Sequence, residues 1–246
     1  MKSFSEALYL SRMKIVYVLF FSLVGCVFMA QGQQLHYQGQ RFQFSHVLSD
    51  IVALNGEQVL RVQRDMQNFP TNPNNMLSTV DEPTFLKLVG DDFINGIIEV
   101  KVLSRLTAEA PEFARGFLGL AFRISKDNSQ FESFYIRPTN GRAEDQLRRN
   151  HAIQYFSYPD YKFARLRKDF PGQYESYADM GLDEWITMKI VVNGAIAKLY
   201  LNGNVQPSLI VNDLKLGAQQ TGGIGLWVEV GTEGFFKDLK IVHKNE

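Results

Sequence analysis

The 246-residue chain holds one cysteine, two tryptophans and four histidines, and neither sign of charge is in excess, with 26 basic and 26 acidic residues. Each scarcity closes off some chemistry. Cys26 sits inside an apolar N-terminal run, so the chain beyond it has no disulfide, no thiolate metal site and no cysteine nucleophile, and must draw its stability from its core. His36, His46, His151 and His243 are scattered, and neither H-x-H nor H-E-x-x-H occurs, so no metal site is expected from spacing. A structural calcium held by backbone and carboxylate oxygens would leave no spacing pattern and stays compatible. Gly222-Gly223-Ile224-Gly225 leads into a strand-like segment, whereas phosphate loops lead into helices, so neither a nicotinamide nor an ATP cofactor is expected.

What is present begins at the N-terminus. Residues 15–30 form an almost unbroken apolar run, preceded by Arg12 and Lys14 and followed by Gln31-Gly32-Gln33-Gln34. That is the layout of a secretory signal peptide, and the run is short against the roughly 20 residues a spanning helix needs. Ala30-Gln31-Gly32 offers the small residues of a cleavage site, which makes residues 1–32 the signal and 33–246 the exported part, periplasmic or extracellular. A second reading shares the run: Leu23-Val24-Gly25-Cys26 is similar to a lipobox, and lipidation of Cys26 would anchor the protein to a membrane. Beyond residue 32 there are 23 basic and 25 acidic residues, a net charge of −2 that gives no field for nonspecific nucleic-acid binding. A chain of this length buries about 70% of its unfolded surface and suits one large domain. Residues 68–75 read as a polar loop within it.

Period-two patterning dominates after the signal. In residues 97–103, Ile98, Val100 and Val102 alternate with Glu99 and Lys101; further strands are expected at 117–124, 131–136, 185–192, 195–201, 224–230 and 235–242. Asn193-Gly194 and Asn202-Gly203 punctuate this pattern, and Asn-Gly between apolar strands predicts a hairpin with a type I′ turn. Residues 141–153 carry mixed charges and are the expected short helix or irregular insert. Many strands with Gly and Asn turns, and no alternation of strands with helices, predict an all-β, two-sheet antiparallel sandwich or jelly roll.

The end of the chain, Gly222-Gly223-Ile224-Gly225-Leu226-Trp227-Val228 followed by Gly234-Phe235-Phe236-Lys237-Asp238-Leu239-Lys240-Ile241, resembles the last two strands of laminin-G-like and 3-keto-disaccharide hydrolase-like domains. Glu184-Trp185 leading into Met188-Lys189-Ile190-Val191-Val192, then Ala197-Lys198-Leu199-Tyr200-Leu201-Asn202, is similar to their central hairpin. The resemblance covers about residues 85–246. It implies a concanavalin-like β-sandwich associated with carbohydrate recognition or processing, and its motifs speak to fold more than to activity.

Chemically, residues 137–168 stand apart, with eight Lys or Arg against Glu144, Asp145 and Asp160. His151, Gln154, Tyr155, Tyr158 and Tyr161 are interleaved, and Tyr174 and Glu175 follow. Planar rings stack on sugar faces, amides and guanidinium groups bond hydroxyls in pairs, and Arg grips a carboxylate or sulfate bidentately. A saccharide cleft is therefore expected from Arg137, Arg148, Gln154, Tyr155, Tyr158, Arg165, Arg167 and Tyr174, with ion pairing inside the domain as the alternative. Arg137 ends an apolar strand and needs either a ligand or a buried partner. Trp185 is expected in the core. Trp227 and Glu229 share a sheet face by alternation and form either a ligand-binding pair or the edge of the core.

Three function classes stand open: a lectin-like module for a polar or acidic saccharide, a glycan-cleaving enzyme, and an adhesion or structural domain. Cleavage would need two carboxylates flanking a glycosidic bond, and the E-x-D-x-x-E strand motif of laminarinase-type glucanases is absent. Glu175 with Asp179, Glu229 with Glu233 and Asp183 with Glu184 are available carboxylates that no spacing singles out, and of these Glu175 is the candidate catalytic group. His151, Tyr155 and Tyr158 are candidate bases for a lyase-type reaction in which arginine neutralises a uronate.

Overall fold

The computed structural model describes residues 34–244; the apolar run, Cys26 and the expected cleavage site lie outside them. The described residues form strands β1 (Gln34–Tyr37), β2 (Gln40–Ser45), β3 (Val47–Leu54), β4 (Glu57–Arg64), β5 (Phe85–Leu88), β6 (Gly96–Leu106), β7 (Leu118–Ile124), β8 (Phe131–Ile136), β9 (Ile153–Tyr158), β10 (Glu175–Ser176), β11 (Ile186–Asn193), β12 (Ile196–Leu201), β13 (Leu209–Val211), β14 (Gly223–Val228) and β15 (Thr232–His243). Three short helices, α1 (Pro138–Gly141), α2 (Gln146–Asn150) and α3 (Phe163–Asp169), fall inside the cation-rich segment. The strands make two antiparallel sheets, an eight-stranded one ordered β1-β2-β5-β14-β7-β8-β9-β10 and a seven-stranded one ordered β13-β12-β11-β6-β15-β4-β3. This is the expected two-sheet jelly-roll sandwich.

Hairpin chemistry sets much of the register. Asn55-Gly56 joins β3 to β4 with both residues at positive φ (51° and 83°), the requirement of a type I′ turn. The hairpin expected at Asn193-Gly194 is present, but with a different turn. Asn193 pairs with Ile196, so the two turn residues are Gly194 and Ala195, and of these Gly194 alone has positive φ. Asn193 is thereby freed to extend its strand.

The two sheets bury their facing sides on one another. Ile98, Val100 and Val102 of β6 and Met188, Ile190 and Val192 of β11 meet the side of the larger sheet that carries Leu118, Leu120, Phe134 and Val228. A Cβ built on Gly234 of β15 would come within 2.8 Å of Val228, which identifies that side as the inner one. The β11 strand alternates buried and part-exposed residues, as a sheet with one wet face should. In contrast β7, β8 and β14 are buried at every position, because the outer face of their sheet is covered as well. Its cover is the β4–β5 connection and the segment holding α1 to α3.

Trp185 departs from expectation. It precedes β11 and lies half-buried in a small cluster with Val59, Leu103 and Phe235, apart from the main core, with the Lys237 ammonium 4.4 Å over its ring.

Candidate functional site

On the outer face of the eight-stranded sheet, adjacent strands bring Trp227, Gly119, Tyr135, Gln154 and Glu175 into one row, through the pairings Trp227–Gly119, Gly119–Tyr135, Tyr135–Gln154 and Gln154–Glu175. Gly119 makes this row possible. A Cβ there would stand 2.1 Å from the Phe134 carbonyl oxygen and 2.6 Å from the Tyr135 Cα, and with none the Trp227 and Tyr135 rings approach across it to 5.0 Å. These two rings border a cavity of about 350 Å³. Its apolar wall is completed by Met76, Leu77, Val80, Phe113, Phe117, Phe163 and Val230, and its polar lining is Asp81, Arg115, Arg137, Asn140, Arg148, His151, Arg167 and Glu229.

Several of these polar groups are spoken for. Arg137 Nη1 donates to the His151 carbonyl at 2.8 Å and lies 3.5 Å from Glu175 Oε1; its Nη2 donates to the Tyr135 hydroxyl at 2.7 Å and to Gln154 Oε1 at 3.3 Å. The guanidinium also stacks 4.8 Å over the Tyr135 ring. Arg137 forms the buried ion pair and also lines the cavity. Glu175 gathers Arg137, Arg167 and, at 3.4 Å, His151 Nε2 around one carboxylate. Burial pushes the His151 pKa below its ordinary value despite that carboxylate. Glu229 is paired with the buried Arg64 and accepts from the backbone N–H groups of Asp81 at 2.9 Å and Val230 at 2.8 Å. The Trp227 indole N–H donates to the Glu82 carbonyl at 2.8 Å, and the ring is fully buried at the cavity wall, packed on Tyr135 and Phe156.

Three groups are less engaged, and two of them, Asp81 and Arg115, are not evident from sequence. Asp81 is buried with φ of 55°, a left-handed conformation that Asp tolerates better than most residues. Its Oδ2 accepts from the backbone N–H of Phe163 at 2.7 Å, and its Oδ1 has no hydrogen-bond partner among the described residues. Burial, with Glu229 adding repulsion, raises its pKa to about 7. Arg115, in the β6–β7 connection, donates from Nη1 to the Glu112 and Ala114 carbonyls at 2.6 and 2.8 Å. Arg148, in α2, touches Asn140 Oδ1 at 3.4 Å, and its Nε is buried without a partner. Neither Arg115 nor Arg148 makes an ion pair among the described residues.

The remaining expected residues lie elsewhere. Tyr155 is one position out of phase with Tyr135 and Gln154, so it points to the inner side, where its hydroxyl bonds Glu132 and accepts from the Lys215 N–H at 3.0 Å. It is a core residue and does not reach the cavity as the expected base. Gln154 is fully buried behind Arg137, with its amide nitrogen on the carbonyls of Tyr155 and Tyr174. Tyr174 packs on Tyr155 and donates to Asp213 at 2.6 Å. Tyr158 stacks on Phe131 and donates to Glu82 at 3.3 Å, and Arg165 is an exposed residue beside Asp169. Of the eight cations in residues 137–168, Arg137, Arg148 and Arg167 line the cavity. Among the described residues no group of three or more His, Cys, Asp or Glu stands together as a metal site.

No family model and no curated protein matches the chain. Solved structures similar to it include the carbohydrate binding module CBM66 from Bacillus subtilis, 11% identical over 80% of this chain and 94% of that one, with a TM-score of 0.46. A Bacillus licheniformis beta-glucanase is 9% identical over 88% of this chain and all of that one, TM-score 0.44. The Caenorhabditis elegans galectin LEC-6 is 14% identical over 61% and 85%, TM-score 0.35. These are likenesses of architecture, and the site is read from its own residues.

Proposed function

We propose that the protein is an exported, lectin-like module that binds a polar saccharide in the cavity on the outer face of its larger sheet. The observation that carries this reading is one concave site in which an aromatic-rich apolar wall, with Trp227 and Tyr135 buried in it, meets the guanidinium donors of Arg115 and Arg148. An apolar wall matches the C–H groups of a pyranose, and fixed donors match its hydroxyls. Gln154 and Glu175 hold Arg137 against the Tyr135 ring. The test is affinity electrophoresis against neutral and acidic polysaccharides with product release scored in the same samples. Retardation by at least one glycan, lost on Trp227→Ala in a folded variant, is expected; indifference to every glycan would overturn the reading and favour an adhesion or structural role.

Asp81 favours a second reading, a glycan-cleaving enzyme. A buried carboxyl that titrates near neutrality with one oxygen unpartnered is equipped to pass a proton to or from a bound sugar. Release of reducing ends or unsaturated products, abolished by Asp81→Asn while retardation persists, would establish it. The other carboxylates of the site, Glu175 and Glu229, are both committed to arginines.

A further inference from the structure

Four guanidinium groups line the cavity, and they divide into two kinds. Arg137 and Arg167 are ion-paired within the fold, sharing the single carboxylate of Glu175. Arg115 and Arg148 have no carboxylate in ion-pair reach among the described residues. They are also close enough to act on one another: the Arg115 pKa is driven below its ordinary value by burial and by the charge of Arg148, with Glu112 offsetting part of the fall and Arg137 adding to it. Crowding two cations at the wall of an apolar cavity and leaving Arg148 Nε buried without an acceptor is unfavourable in the ligand-free protein. The fold nonetheless fixes both. Backbone carbonyls of Glu112 and Ala114 hold Arg115 Nη1, and α2, capped by the Asp145 side chain on the Arg148 N–H at 3.1 Å, holds Arg148.

We propose that Arg115 and Arg148 form an anion subsite of the cavity, taking a carboxylate or sulfate ester borne by the saccharide. The subsite deepens the saccharide reading and rests on it. It makes the cavity selective: a neutral sugar leaves the two cations uncompensated, whereas an acidic sugar relieves their repulsion and supplies the acceptor that Arg148 Nε lacks. Planar guanidinium groups suit both anions, since each offers paired N–H donors to two oxygens of one group.

The experiment is calorimetric titration of the purified protein with glucose, glucuronate, glucose 6-sulfate and inorganic sulfate, at low and high salt. Variants are Arg115→Gln and Arg148→Gln, with the exposed Arg165→Gln as control and thermal melting as the check on folding. Expected is a preference for an acidic sugar over glucose of about tenfold or more at low salt, shrinking with ionic strength. Each cavity variant should bring that preference to within about twofold, while Arg165→Gln keeps it. Which of glucuronate and glucose 6-sulfate binds tighter identifies the anion. Equal binding of glucose and the acidic sugars would overturn the subsite and leave the saccharide reading standing. Binding of inorganic sulfate but of none of the three sugars would overturn the saccharide reading and leave a bare anion site; no binding of any probe would overturn both. If either variant does not fold, wild-type competition decides. Sulfate that displaces glucuronate but not glucose supports the subsite, and sulfate that displaces neither overturns it.

Discussion

Arg64, the last residue of β4 in the smaller sheet, and Glu229, just past the end of β14 in the larger one, form an ion pair buried to 1% and 4% side-chain exposure. The pair joins the two sheets beside the cavity, which Glu229 lines. Arg64 Nε also donates to the Phe69 carbonyl at 3.1 Å and its Nη1 to the Thr79 carbonyl at 2.7 Å, so the same guanidinium fastens the β4–β5 connection over the outer face. Replacing one partner strands the other charge. Arg64→Met should therefore destabilise the protein by about 3–5 kcal/mol, read from denaturant unfolding. A loss below about 1 kcal/mol would show that the pair is not held as described.

Glu175 predicts a contrast between its partners. Glu175→Ala leaves the buried Arg137 without its carboxylate and should cost about 3–5 kcal/mol. Arg167→Ala removes a side chain that is 38% exposed, and should cost about 1 kcal/mol. Equal losses in the two variants would contradict the placement of Arg137 as the buried member.

Asp81 makes stability fall with rising pH. Its folded pKa of about 7 lies above the ordinary 3.8, so between those values the folded protein holds a proton that the unfolded chain has released. The slope of unfolding free energy against pH is then negative, by up to about 1.4 kcal/mol per unit, across roughly pH 4 to 7 and flat above. Asp81→Asn keeps the tolerance for positive φ and removes the titration. The variant should gain on the wild type at pH 8 relative to pH 5 when both are unfolded in urea; parallel profiles would refute the assignment.

How much of this was legible in the sequence depended on which faces were wet. The smaller sheet alternates, and β6, β11 and β12 were readable almost to their ends. The larger sheet is apolar on both sides, so β7, β8 and β14 were found but not phased, and β9, which follows the expected insert, was not found: nothing in Phe134-Tyr135-Ile136 or Gln154-Tyr155-Phe156 says which residues face the other sheet. That is why Tyr155 looked like a site residue and Tyr135 did not. β1 to β4 were missed although Asn55-Gly56 carries the same hairpin signal as Asn202-Gly203. The cation-rich segment pointed to the right region, but Asp81 and Arg115 come from connections far away in sequence, where no motif or spacing marks them. Only the folded chain brings them to the cavity.

Because the two tryptophans sit on opposite faces of the molecule's two sheets, one substitution isolates the cavity's own reporter. Trp185→Phe removes the half-buried indole on the smaller sheet and leaves Trp227. Its fluorescence should change on ligand binding and not on mixing with a sugar that affinity electrophoresis shows to be ignored. An unchanged spectrum at saturating ligand would place binding away from the cavity.

The grip of Arg64 on the β4–β5 connection has a consequence for how this protein can diversify. Its donors end on main-chain oxygens of Phe69 and Thr79, and a main-chain oxygen is the same whatever side chain it carries. Met76, Leu77 and Val80, which face the cavity from that connection, can therefore be exchanged without unfastening it. Inheritance of the scaffold and retuning of its selectivity are assigned to different atoms of one short stretch of chain.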